Sequence, residues 1–87
     1  MKTYFITFRS VTYAQRGEQA LSQGGNRTRL RRTPRWMEER GCGYGVETVL
    51  ANLEDGLNLL RKQQIPWRKI WLMKPGGEME ELHNDLL

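Results

Sequence analysis

The one cysteine of this 87-residue chain, Cys42, sits in the stretch Arg40-Gly41-Cys42-Gly43. A free thiol titrates near 8.5, so only ~3% is nucleophilic thiolate at neutral pH, and nearby positive charge raises that share. Arg35 and Arg40 are the cations closest along the chain that would supply it. Gly41 and Gly43 have no Cβ, so they can turn backbone N–H groups toward an anion and leave the sulfur open to approach. A thiolate held this way attacks sulfur, or carries a sulfur or selenium atom covalently. The plainer alternative is that Cys42 is a small buried hydrophobe, the usual fate of a free cysteine. A papain-like hydrolase is disfavoured, because its thiol needs a histidine base and the single histidine, His83, falls in an acidic end segment.

Charge is the second chemical feature. Six arginines lie between positions 27 and 40, opposed only by Glu38 and Glu39. In "RTRLRR" Arg27, Arg29 and Arg31 alternate onto one side of an expected strand. Such a row would hold phosphate or an acidic partner; alternatively it is a solvated edge whose like charges discourage unwanted pairing. Arg35 and Trp36, directly after Pro34, form either an anion and stacking platform or a cover for the end of the core. Trp67 and Trp71 are expected on one face of a strand, with the stem of Lys69 between them. If Ile70 and Leu72 face the helices, that pair points outward and suggests a partner or self-association surface. The inverse facing would place both rings in the core.

The elements that must position these groups are legible from periodicity and caps. "TYFITF", residues 3–8, reads as a first strand. Ser10 caps a first helix whose inner face is Ala14, Gly17 and Leu21, with a stop at Gly24-Gly25. Residues 27–32 form a basic edge strand ended by Pro34, residues 35–43 a loop or short helical turn, and "YGVETVL" a third strand. Asn52 caps a second helix with Leu53, Leu57, Leu60 and Gln64 on its buried face and Leu59 at the flank, closed by Ile65-Pro66. Residues 67–74 alternate as a fourth strand. The fold expected is α+β and ferredoxin-like: β-α-β-β-α-β, a four-stranded antiparallel sheet with two helices on one face. Residues 1–74 would form the single domain, and residues 75–87 an acidic tail that is mobile or makes one helical turn.

Composition bounds the rest. The net charge of +4 conceals an asymmetry, since every Lys and Arg precedes residue 75, whereas Glu78, Glu80, Glu81 and Asp85 follow it. Anionic partners are therefore expected for the main body. One cysteine and one histidine give no metal-binding cluster and no internal disulfide. No apolar run approaches the length of a membrane span or a signal peptide, so a cytoplasmic protein with a reduced thiol is expected.

Two families resemble this arrangement. "RGCGYGVE" is similar to the third-strand motif of RNA-recognition modules at Arg40, Gly41, Gly43 and Tyr44, but Cys42 and Glu47 stand where stacking rings belong. That resemblance implies nucleic-acid binding or a small interaction module in which Cys42 is incidental. The chain more closely resembles DUF3343, a small bacterial family of selenium/sulfur carrier-like proteins. The likeness rests on "YFITF" followed by Ser10, a helix bearing Ala14, Glu18 and Leu21, and the turn Thr33-Pro34-Arg35. It continues through Cys42-Gly43, a helix with Leu57, Leu59 and Leu60, and a closing strand, covering about residues 3–74. The arginine-rich second strand, Trp36 and the "GYG" after the cysteine depart from the family's usual pattern. The resemblance implies that Cys42 is a carrier thiol bearing sulfur or selenium as persulfide or selenosulfide. Arg35, Arg40, Gly41 and Gly43 would stabilise the anion. Arg27, Arg29, Arg31, Trp67 and Trp71 would meet a protein donor or acceptor, or a second copy in a homodimer. Beyond the covalent sulfur or selenium no cofactor is implied, nor is turnover of a small substrate.

Overall fold

The computed structural model describes residues 1–37 and 43–83. In chain order the elements are β1 (Lys2–Thr7), α1 (Val11–Gln23), β2 (Arg27–Arg32), a short 3₁₀ turn (Arg35–Met37), β3 (Tyr44–Leu50), α2 (Leu53–Lys62), β4 (Ile70–Met73) and β5 (Met79–Leu82). The strands form a sheet in the order β2-β3-β1-β4-β5, with every neighbouring pair antiparallel.

Both helices start where the sequence places their caps. The Ser10 hydroxyl accepts the Tyr13 N–H at 3.1 Å, and Asn52 Oδ1 accepts the Asp55 N–H at the same distance. Each satisfies a donor that the first helical turn cannot. Helix α2 also carries Glu54 and Asp55 in its first turn and Arg61 and Lys62 in its last, matching the two ends of its dipole. It ends earlier than its apolar spacing suggests: Gln64 is exposed with a φ of 57°, and the buried Ile65 takes the place expected for it.

The two helices contribute to one core on one face of the sheet. Ala14, Ala20 and Leu21 from α1 and Leu57 and Leu60 from α2 pack with Tyr4, Ile6, Val46, Leu50 and Ile70. Gly17 is where α1 accommodates the ring of Phe8, because a Cβ there would lie 2.6 Å from Phe8 Cζ. The small inner face of α1 thus makes room for an aromatic ring rather than for a close helix–sheet approach alone.

Two expectations are corrected. The sheet has five strands, not four, since part of the segment expected to be a tail folds back as β5 against β4, with Met79 opposite Met73 and Leu82 opposite Ile70. Met79 packs on the open face and Leu82 on the helix side. Two glutamates in "MEEL" hide this strand from propensity, but an apolar residue on each face gives it something to bury. The reversal runs through Lys74–Glu78, with Gly77 at φ 90° and the Lys74 N–H donating to Glu78 C=O at 2.8 Å.

The second correction concerns the alternation around β4, which begins at Ile70 rather than Trp67. Arg68 N–H donates to Thr7 C=O at 2.8 Å, and Thr7 N–H donates to Lys69 C=O at 2.9 Å. Arg68 and Lys69 therefore both face Thr7, as at a β-bulge, which adds one residue and inverts the facing of everything before it. Trp67 consequently packs against the helix-side core under the guanidinium of Arg61, 5.4 Å from the ring centroid. Trp71 lies on the opposite face.

Candidate functional site

Of the described residues singled out in the sequence, Arg27, Arg29, Arg31 and Trp71 lie on the open face of the sheet, away from the helices. Register aligns Arg29, Glu47, Phe5, Trp71 and Glu81 as one row across all five strands. The row opens with the Arg29–Glu47 ion pair, is aromatic in the middle and ends acidic.

The aromatic middle is closed by the turn that follows β2. Phe5 is 1% exposed and Trp71 9% exposed, and both pack against the buried Met37 at the end of the 3₁₀ turn. Trp36 precedes it, 67% exposed, with its ring edge-on to Trp71. Gly45 completes this packing: a Cβ there would lie 2.6 Å from Phe5 Cζ and 2.7 Å from the Ile6 carbonyl oxygen. The indole Nε1 of Trp71 is buried and donates to no acceptor among the described residues. Trp71 is thus a covered ring and not an exposed patch, and it does not pair with Trp67.

The turn is fixed at both of its described ends. Pro34 holds Thr33 extended, and the Met37 N–H donates to Pro34 C=O at 3.0 Å. Thr33 is buried, and its N–H donates to Gly43 C=O at 2.8 Å. Gly43 has a φ of 77°, a conformation that glycine adopts without a Cβ penalty. Met37 and Gly43 are therefore both pinned to the body of the sheet. Cys42, Arg40 and Gly41 lie outside the described residues. Arg35 opens the 3₁₀ turn, is exposed, and has no ion-pair partner among the described residues.

The arginine row follows the alternation expected of it. Arg27, Arg29 and Arg31 share a side of β2 with the open face, while Leu30 packs on the helix-side core. Thr28 donates from that same inner side to Glu18 of α1. Glu47 was legible only as a misplaced acid; in the sheet it is the carboxylate shared by Arg31 at 2.5 Å and Arg29 at 3.5 Å. At the other end of the row Lys69 reaches Glu81 at 3.8 Å. A groove of about 510 Å³ between Met1, Thr3, Glu47, Met73 and Pro75 lies at the end of the strands far from Gly43.

A family described as "Putative Se/S carrier protein-like" matches residues 3–72 of the chain. The chain belongs to this family. The matched span runs from β1 through β4 and includes the Thr33-Pro34-Arg35 turn and Cys42-Gly43, so the family resemblance seen in the sequence is borne out. The match ends at residue 72, before β5 (Met79–Leu82). No curated protein and no solved structure matches the chain detectably. Among the described residues no helix is long and apolar enough to cross a membrane.

Proposed function

We propose that the protein carries sulfur or selenium on Cys42 and hands it to a partner protein. The observation that carries this reading is the family match across residues 3–72, which includes Cys42. The anchoring of Met37 and Gly43 supports it, because a carrier thiol works best on a segment whose ends are fixed to a rigid sheet. Arg35 and Arg40 would favour the thiolate and the anionic adduct, and Gly41 and Gly43 would keep the sulfur reachable.

The chemistry balances without a cofactor. The Cys42 thiolate attacks the terminal sulfur of a donor persulfide, an S–S bond forms to Cys42 as the donor's S–S bond breaks, and the donor leaves as its thiolate. Delivery is the reverse: an acceptor nucleophile takes the outer sulfur and Cys42 departs as thiolate. A donor selenosulfide follows the same path with selenium in the transferred position.

Mass spectrometry of the reduced full chain after exposure to a low-molecular-weight persulfide tests the proposal. A gain of one sulfur mass, lost in Cys42→Ser and restored to the starting mass by a thiol reductant, is expected. A chain that takes up no sulfur while a simple thiol control does would overturn the carrier reading.

A further inference from the structure

We infer that β2 is a docking edge for an extended acidic segment of a partner protein, which adds to the sheet as a sixth strand. This deepens the carrier reading, on which it rests, by naming the chemistry a donor or acceptor must present.

Strand β2 is the outer strand of the sheet and six residues long, so every second residue turns its N–H and C=O away from β3. Its two faces differ. On the inner side Leu30 and Thr28 are engaged by the helix-side core and Glu18. On the open side Arg27, Arg29 and Arg31 stand in a row with a deficit of negative charge. Glu47 is shared between two of them, and Arg27 has no ion-pair partner among the described residues. The arginines project from the face of the strand and not along its hydrogen-bonding edge. A strand laid beside β2 would place its own alternate residues next to these guanidiniums, at cross-strand distances of roughly 5 Å. Carboxylates at every second position would meet the arginine row, and small apolar residues between them would fall beside Leu30. Acidic residues at alternate positions are therefore the pattern this edge selects, through main-chain pairing for affinity and charge for specificity.

Single-stranded nucleic acid fits the same face poorly. Recognition of unpaired bases relies on exposed rings on the central strands. Here the ring on β1, Phe5, is buried, and its partner position on β3 is the acid Glu47.

The test uses the full chain with three probes: a peptide of about eight residues alternating Glu and Val, long enough for one strand, a peptide of the same composition in two blocks, and a single-stranded RNA oligonucleotide. Binding is followed by fluorescence anisotropy, and amide hydrogen exchange across residues 27–32 by NMR. The alternating peptide should bind best and slow exchange at alternate β2 amides. Arg27→Glu/Arg29→Glu should weaken it by about tenfold or more. Arg27→Gln/Arg29→Gln, which removes the charge without setting an acid against Glu47, should weaken it in the same direction. Equal binding of the block peptide, binding without slowed exchange in β2, preference for the RNA, or no binding at all would each overturn the inference. Sulfur loading of Cys42 from a small donor needs no docking partner, so failure here leaves the carrier reading intact, and failure there leaves this edge to be judged by its own result.

Discussion

The ring of Trp36 stands edge-on to that of Trp71, with centroids 5.7 Å apart and planes at 85°. This contact, with Met37 beneath it, ties the turn after β2 to the centre of the open face. The buried indole N–H of Trp71 has no acceptor among the described residues. The aromatic pair adds about 0.5–1.5 kcal/mol beyond simple burial, whereas the orphaned donor costs roughly 1–3 kcal/mol. Trp36→Ala should therefore lower stability to urea by about 1 kcal/mol. Trp71→Phe, which keeps an aromatic ring and removes the orphan, should cost far less than the roughly 3–5 kcal/mol of Trp71→Ala. Equal losses for the two Trp71 variants would contradict this account.

Gly45 is where β3 must have no side chain. An added Cβ would press on the Phe5 ring at 2.6 Å and on the Ile6 backbone carbonyl at 2.7 Å, and the backbone cannot yield as a flexible side chain would. Gly45→Ala is expected to destabilise by about 1–3 kcal/mol through overpacking. Gly76→Ala, in open space between β4 and β5, serves as the control and should stay within about 0.5 kcal/mol. Thermal denaturation of the two variants side by side would reveal whether the difference is real.

Strand β5 protects the edge of β4 and contributes Met79 to the cluster around Trp71 and Leu82 to the helix-side core. Ending the chain after Lys74 would expose the β4 backbone and apolar surface on both faces. The shortened protein should unfold at lower temperature and self-associate through the bared edge, as size-exclusion chromatography with light scattering would record. An unchanged melting temperature and a monomer would restore the view of this segment as a passive tail.

Much of the architecture was legible because its signals are local. Ser10 and Asn52 act on the next helical turn, the apolar spacing of Leu53, Leu57 and Leu60 reports a face of α2 directly, and "RTRLRR" alternates as β2 does. The family could be read from Pro34-Arg35 and Cys42-Gly43, and the match over residues 3–72 agrees. On the site, the sequence placed Arg27, Arg29 and Arg31 on one side of a strand, and strand alternation alone was enough to do so.

Tertiary structure decided the features that depend on distant partners. Trp67 and Trp71 are four residues apart and should share a strand face, yet Thr7 accepts two residues opposite it and sends them to opposite sides of the sheet. "MEEL" has little strand propensity by itself and becomes β5 only because Met73 and Ile70 lie across from Met79 and Leu82. Glu47 pairs with Arg29 and Arg31, residues 18 and 16 positions away in sequence, through the register between β2 and β3. Local sequence sets which dihedrals and faces are favourable. Pairing register, bulges and the cover that Trp36 gives Trp71 are settled by contacts that exist only once the chain has closed on itself.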